Sequence, residues 1–112
     1  MLKEIVEKLN QQNIRQKTMD WMESIPEDLW KKYFSEELAE CVETITTDYL
    51  RHHEAGIKVY EYHDEKDEWK YLGVYCVTNY YSEDGDVASL YHQLYFQEME
   101  KVEKTEIIYR QK

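Results

Sequence analysis

The sequence predicts a single α+β domain in which N-terminal helices pack on a small antiparallel β-meander. Apolar residues recur at helical spacing early in the chain and alternate at strand spacing after residue 56, where polar turn segments separate the runs. A chain of 112 residues, 42% of them hydrophobic, can build one modest core. We expect a helical part over about residues 1–55, a β-meander over about 57–96 and a C-terminal segment over 97–112.

Helical segments are expected early in the chain, including residues 19–23. The first is amphipathic, with an apolar side formed by Leu2, Ile5, Val6 and Leu9. A further helix is expected to start at Ser24 and to run through Trp30 and Tyr33. Ser24 and Glu27 have the spacing of a capping box, and Pro26 is compatible with a first helical turn.

A third helix is expected to follow, capped at its start by Ser35 and at its end by Gly56. Its apolar face would consist of residues spaced by four, three and four positions, namely Leu38, Val42, Ile45 and Tyr49. Its opposite face would carry Glu36, Glu40 and Glu43. This helix would therefore have one side in the core and a row of carboxylates on the other.

Strand patterns begin after Gly56, with β-rich runs at 57–62 and 69–77 separated by the polar loop 64–68. An Asp-Gly pair at 84–85 predicts a hairpin turn. We expect a third strand over 87–96, with Leu90, His92, Leu94 and Phe96 on one face, although this segment also fits a helix. The sequence leaves the secondary structure of residues 98–112 open.

Composition restricts the class of partner. The chain has 24 Asp and Glu against 14 Lys and Arg, a net charge of -10, and 14% of its residues are aromatic. Disordered chains are poor in aromatic residues, so we expect a folded protein. Proteins that bind nucleic acid directly need a basic patch to neutralise phosphates, so a basic protein is the expected partner. The absence of a long apolar stretch predicts a cytoplasmic protein that does not enter a membrane.

The sequence offers no strong catalytic or metal-binding motif. The four histidines, His52, His53, His63 and His92, form no pair with metal-ligand spacing, and we interpret His52 and His53 as solvated residues at a helix end. Cys41 and Cys76 are expected to be buried structural thiols. We therefore expect no metal, no cofactor and no enzymatic activity.

The carboxylates of the third expected helix are the candidate binding residues. Along a helix, Glu36 and Glu40 would be about 6 Å apart, and Glu40 and Glu43 about 4.5 Å, comparable to the spacing of charges along a nucleic-acid strand. Asp48 would extend the row. The row is either an ordinary solvated helix face or a set of carboxylates that imitate DNA phosphates in the groove of a basic DNA-binding protein, with exposed aromatic residues as anchors.

Three stretches of the chain resemble the staphylococcal-type uracil-DNA glycosylase inhibitors, a family of small acidic DNA mimics. They comprise Ile25-Pro26 with Trp30 and Ser35-Glu36-Glu37-Leu38-Ala39, then Thr47-Asp48-Tyr49-Leu50 with His53-Glu54 and Gly56-Ile57, and finally Leu72-Gly73-Val74-Tyr75. The resemblance implies that Glu36, Glu37 and Asp48 contact the DNA-binding groove of the glycosylase. It also implies an apolar pocket on the sheet for the leucine that the enzyme inserts into DNA.

Other functions remain open at this point. An anti-CRISPR or anti-restriction protein of phage or mobile-element origin would use the same acidic surface against another groove. An immunity protein would cover the active site of a basic toxin nuclease. An interaction module without mimicry would instead use exposed tyrosines in a dimer interface.

Overall fold

The computed structural model describes residues 2–34, 38–63, 69–80, 92–103 and 107–112. It is an α+β structure dominated by strands, and the curled antiparallel sheet has the order β1-β2-β3-β4-β5. The helical elements are α1 (Leu2–Gln11), a 3₁₀ helix (Trp21–Ser24) and α2 (Glu27–Tyr33). The strands are β1 (Leu38–Tyr49), β2 (His53–His63), β3 (Trp69–Tyr80), β4 (Tyr95–Glu103) and β5 (Ile107–Gln111).

Helix α1 confirms the prediction for the first residues. Its four apolar side chains, Leu2, Ile5, Val6 and Leu9, are all buried. The helix ends where Asn13 adopts a left-handed conformation with φ of 51°. Asparagine tolerates this conformation better than most residues, and a left-handed residue commonly terminates a helix.

Helix α2 also forms where the sequence predicts it, but the predicted capping box of Ser24 and Glu27 does not form. The Ser24 hydroxyl accepts a hydrogen bond from the Lys17 backbone N–H at 2.8 Å, within the connection that precedes the helix. Pro26 occupies the cap position and has no side-chain hydrogen bond to offer. The helix is held instead by packing, since Leu29, Trp30 and Tyr33 contact the core.

The third predicted helix is wrong, because β1 occupies 38–49 and β2 begins at His53. The helical part therefore ends at Tyr33 rather than near residue 55. The segment 42–47 is Val-Glu-Thr-Ile-Thr-Thr, and β-branched side chains favour strands. Three register shifts against β2 interrupt the regular alternation of side chains along β1. The apolar residues of β1 are therefore spaced at intervals of three and four, as they would be in a helix.

Gly56 does not cap a helix; it lies inside β2, between Thr46 of β1 and Cys76 of β3. A Cβ atom at this position would collide with the Ile45 carbonyl oxygen and would lie 2.8 Å from the Thr46 Cα atom. Glycine is needed here for close approach of two backbones.

The rest of the meander agrees with the sequence in part. Strands β2 and β3 include the predicted runs 57–62 and 69–77. The third predicted strand begins later than expected, at Tyr95, although Leu94 and Phe96 are both buried on the same side. Segments 98–103 and 107–111, whose type was open, form strands. The predicted loop at 64–68, the hairpin at 83–86 and residues 87–91 lie outside the described residues.

The helices pack on one side of the sheet, which we call the helix-packed face. Its sheet residues are Tyr60, Tyr62, Leu72, Val74, Cys76, Leu94 and Phe96, and they join α1 in one core. Trp21 lies at its centre, edge-on to Phe34, Tyr60 and Phe96, and donates a hydrogen bond to the Tyr60 hydroxyl at 2.9 Å. A polar atom of a buried aromatic residue thus finds its partner inside the core.

Two amide side chains attach the N-terminal region to the sheet backbone. Asn10 donates to the Phe96 carbonyl and accepts from the Phe96 N–H, both at 2.8 Å. Gln16, which is 1% exposed, makes the same pair of bonds with Val77, at 3.3 and 2.8 Å. Each amide replaces the neighbouring strand that would otherwise satisfy these backbone groups.

Candidate functional site

Aromatic side chains cover the side of the sheet opposite the helices. The strand registers place Trp69, Tyr71, Tyr75, Tyr95 and Tyr109 on this side, and we call it the aromatic face. All five are exposed or half-buried, with Trp69 56% and Tyr95 51% exposed. Exposed aromatic residues that share one face are typical of protein-binding surfaces, where tyrosine and tryptophan supply most of the affinity.

Acidic residues line the β1 and β2 side of the aromatic face. Glu43 pairs with Val59, and Asp48 pairs with Ala55, so both carboxylates are on the same side as Glu61, two residues along from Val59. All three acidic side chains are half-buried. On this face, the described side chains of β1 and β2 therefore contribute three negative charges.

The sheet curls so that its two edges approach each other across the aromatic face. In a flat sheet, strands β1 and β5 would be about 19 Å apart, at about 4.8 Å per strand. Nevertheless, Glu43 of β1 and Glu61 of β2 contribute to raising the pKa of Tyr109 on β5, after the effect of burial, while Lys101 opposes them. Tyr109 also contacts Tyr71, with ring centroids 5.1 Å apart.

Beneath the aromatic side chains, this face has a small apolar floor. Val59 is fully buried and Met99 is 4% exposed. The Met99 side chain lies over Gly73, because a Cβ atom there would be 2.8 Å from the Met99 Cγ atom. The floor underlies the tyrosines, whose outer parts remain accessible.

A polar cluster closes one end of the aromatic face. The Tyr75 hydroxyl donates a hydrogen bond to the Asp48 carboxylate, which also accepts one from Thr47 at 2.9 Å. These two hydroxyls lower the pKa of Asp48, whereas burial, followed by the bond to Asp48, raises the pKa of Tyr75 to about 12. The His92 ring stacks on Tyr75 at 5.2 Å and faces His53 at 6.3 Å.

Strand β1 forms the edge of the sheet next to these acidic residues, and within the described ranges it pairs with β2 alone. Its twelve residues include three acidic and no basic side chains. Every described side chain from Glu40 to Tyr49 is exposed or half-buried, and Tyr49 is 76% exposed. The edge thus offers carboxylates and apolar groups together.

The predicted carboxylate row is therefore replaced by a different arrangement. Glu36 and Glu37 lie outside the described residues. Glu40 is exposed on β1, where a register shift separates it from the regular pairing that begins at Glu43. Glu43 and Asp48 share a face, and five residues of extended chain separate them by about 16 Å. The sequence pattern did not reveal Glu61, which an alternating strand places beside them.

Two other expectations about reactive side chains are wrong. Cys41 is exposed on β1 rather than buried, while Cys76 is buried as expected, and burial raises its pKa to about 12. His53 does not end a helix: it begins β2 and is half-buried. Among the described side chains, no three His, Cys, Asp or Glu residues converge on a position suited to a metal ion.

A cleft of about 520 Å³ lies on the other side of the sheet, between α1 and the β4–β5 pair. Its lining is mixed: Val6, Tyr95 and Phe96 supply apolar surface, and the other lining residues are polar or charged, among them Lys3, Glu7 and Lys112. The resemblance to glycosylase inhibitors implies an apolar pocket for a leucine, whereas this cleft also presents charged side chains of both signs.

The longest helix described, α1, has ten residues, and none of the helices in the described part of the chain combines the length and apolarity that crossing a bilayer requires.

Comparison of the chain with protein-family models, with curated proteins and with solved structures found no match.

Proposed function

We propose that this protein is a stoichiometric inhibitor that binds a basic DNA-binding enzyme and blocks its DNA-binding groove. The observation that carries the proposal is the aromatic face, where exposed and half-buried tyrosine and tryptophan side chains share one side of the sheet with Glu43, Asp48 and Glu61. Aromatic residues would provide the anchors, and carboxylates would select a basic partner and accelerate its association.

The charge of this surface supports a protein partner rather than a nucleic acid. The whole chain has a net charge of -10, and β1 contains no basic residue. Aromatic sheet faces also bind single-stranded nucleic acids, but those surfaces combine stacking with a positively charged groove. An acidic aromatic face repels phosphates and attracts the basic surface that normally binds them.

The edge strand argues against self-association through β1. If two β1 strands paired antiparallel about Thr44, each Glu40 would lie opposite an Asp48 of the other copy. Like charges directly opposite each other destabilise a strand pair. A partner of opposite charge is therefore favoured over a second copy at this edge.

The mode of inhibition differs from the one that the helix pattern suggested. Carboxylates about 16 Å apart on a strand do not repeat the spacing of phosphates along a nucleic-acid strand. We propose instead that the curled face covers basic residues of the enzyme, with tyrosines filling the space between them. This mode also suits an immunity protein that covers a nuclease active site, and the aromatic anchors favour that as the second candidate.

Uracil-DNA glycosylase is the first target to test, because of the sequence resemblance. Purified glycosylase would be assayed on a uracil-containing duplex with increasing amounts of this protein. We expect inhibition that saturates at one inhibitor per enzyme, weakens with added salt and is competed by duplex DNA. Unchanged glycosylase activity at a tenfold molar excess would reject this target.

The same assay extends to the other candidate targets, namely a restriction endonuclease, a CRISPR effector nuclease and a toxin nuclease. Inhibition of one of these with the same salt dependence would keep the binding mode and change the target. Inhibition that is insensitive to salt would contradict the proposed role of the carboxylates.

A further inference from the structure

His53 and His92 lie against each other at one end of the aromatic face, and each has a buried ring nitrogen without a hydrogen-bond partner among the described residues. The rings of His53 and His92 are edge-on at 6.3 Å, and His92 also stacks on Tyr75. The Nδ1 atom of His53 and the Nε2 atom of His92 are buried, and neither has a hydrogen-bond partner within the described part of the chain. Since buried polar atoms are normally paired, a pair of unsatisfied ring nitrogens in one cluster calls for an explanation.

The backbone at His92 ties the N-terminal region to the sheet. The His92 carbonyl accepts a hydrogen bond from the Gln16 N–H at 2.8 Å, and the Leu94 N–H donates to the Ile14 carbonyl at 2.8 Å. Gln16 in turn bonds to Val77 of β3. A displacement of His92 would therefore loosen the contact between residues 14–16 and the sheet.

The surroundings of His92 tolerate a neutral ring better than a charged one. Among the described residues, the titratable groups that face it are Asp48 from β1, His53 from β2 and Tyr75 from β3. Asp48 is the single acid of this set, and its carboxylate already accepts bonds from Tyr75 and Thr47.

Protonation of His92 would place a positive charge beside the ring of His53. Asp48, the acid that faces His92 among the described residues, is already engaged by the hydroxyls of Tyr75 and Thr47. Like charges in a partly desolvated site repel each other strongly.

We propose that His92, packed against His53 and Tyr75, forms an acid-sensitive latch: its neutral ring holds the end of the aromatic face together near neutral pH, and its protonation releases residues 14–16 and 92–94 in mild acid. The latch belongs to the fold itself and acts whether or not the proposed inhibitory function is correct.

The direction of the pH dependence follows from the folded and unfolded states. Burial lowers the pKa of His92, His53 lowers it further, and Asp48 opposes both. A lowered folded pKa means that the neutral ring stabilises the fold fully above the unfolded pKa of about 6.5. That contribution is lost as pH falls from there through the folded pKa. Asp48 does not interfere between pH 7.5 and 5.5, because its pKa lies below 3.8.

The first test needs no substitution. A pH titration of the histidine side chains by nitrogen-15 NMR would follow His53 and His92, with the exposed neighbour His52 as internal reference. We expect His92 to titrate below the value of about 6.5 of an unperturbed histidine. Titration of His92 at or above that value would overturn the latch.

The second test uses variants that keep the packing but do not titrate. In the double variant H53Q/H92F, phenylalanine retains the stack on Tyr75, and H52Q is the matched control. Between pH 7.5 and 5.5 we expect the melting temperature of the wild type to fall by about 5 °C relative to the double variant, with H52Q following the wild type. Equal pH dependence in the wild type and the double variant would contradict the latch.

Hydrogen exchange identifies the part that opens. The Gln16 and Leu94 amides, which bond to His92 and Ile14, report directly on the latch. After correction for the intrinsic effect of pH, we expect their protection in the wild type to fall at least tenfold at pH 5.5, and the protection of the central β2 and β3 amides to stay unchanged. A uniform change over all strands would indicate global destabilisation and overturn a local latch.

Discussion

The two faces of the sheet contain similar residues in opposite environments. On the helix-packed face, Tyr60 and Phe96 are buried around Trp21. On the aromatic face, Trp69 and Tyr95 are more than half exposed. Helices account for the burial of the first set. The second set lies outside the main core, and the proposed binding role would account for its exposure.

The largest expected effect compares the tryptophans of the two faces. Trp21→Ala removes a side chain that is 1% exposed, together with three aromatic contacts and a hydrogen bond, and should lower the free energy of unfolding by about 3–5 kcal/mol. Trp69→Ala should cost less than about 1 kcal/mol, because Trp69 is 56% exposed. Urea unfolding of both variants measures the difference. Similar losses would mean that the aromatic face is part of the core.

The next effect concerns the amide that attaches the N-terminal region. Gln16→Leu leaves both backbone groups of Val77 without their partner, and we expect a loss of about 2–4 kcal/mol in the free energy of unfolding. Gln12→Leu, at an exposed position in the same connection, is the control and should change stability by less than about 0.5 kcal/mol. Equal effects in urea unfolding would show that these two bonds contribute nothing.

A smaller effect distinguishes the glycines of β2 and β3. Gly56→Ala forces a methyl group against the β1 backbone and should cost about 1–3 kcal/mol. Gly73→Ala meets the flexible Met99 side chain, which can move, and should cost less. Thermal unfolding compares the two. A larger loss for Gly73→Ala would indicate that the floor of the aromatic face is as rigid as the main core.

The smallest effect is chemical and leaves the fold intact. Cys41 is exposed on the edge strand, whereas Cys76 is buried and its pKa is raised to about 12. A thiol reagent at pH 8 should therefore modify one cysteine per chain at once and the second only upon unfolding. Mass spectrometry with peptide mapping identifies the site. Rapid modification of Cys76 would contradict the packing beneath the helices.

Local patterns predicted the helix-packed face well. The apolar spacing of α1 and the alternating runs of β2 and β3 reflect burial on one side, and they led to the correct elements. The meander order also follows, because successive antiparallel strands tend to be neighbours. Where one face of an element is buried, the sequence carries a clear period.

The candidate site was harder to predict for the same physical reason. Strand β1 lies at the edge of the sheet and has three register shifts, so its side chains do not alternate regularly between the two faces. The spacing of Val42, Ile45 and Tyr49 therefore fitted a helix and led to the wrong prediction. The aromatic face combines side chains from all five strands, so it depends on the register of four successive strand pairs rather than on one local period. The β-branched composition of 42–47 was the available signal for β1.

Contacts between side chains and residues distant in sequence also could not be predicted. Gln16 and Asn10 are ordinary polar residues in the sequence, and only the structure places them against Val77 and Phe96. His53 and His92 are 39 positions apart and meet only because the sheet brings β2 near the start of β4. No local pattern encodes such pairs.

The central claim is that the aromatic face binds a basic protein. The most direct measurement is affinity capture from a bacterial lysate with three forms of the protein, each eluted with duplex DNA. The first is the wild type, and the second is a face variant with Tyr71→Ser, Glu43→Gln and Glu61→Gln. The third is a control with Glu4→Gln and Glu7→Gln on the exposed side of α1, which removes the same charge.

We predict that the wild type and the α1 control capture the same basic protein, that duplex DNA releases it, and that the face variant loses it. Capture of that protein by the face variant with undiminished yield would contradict the claim.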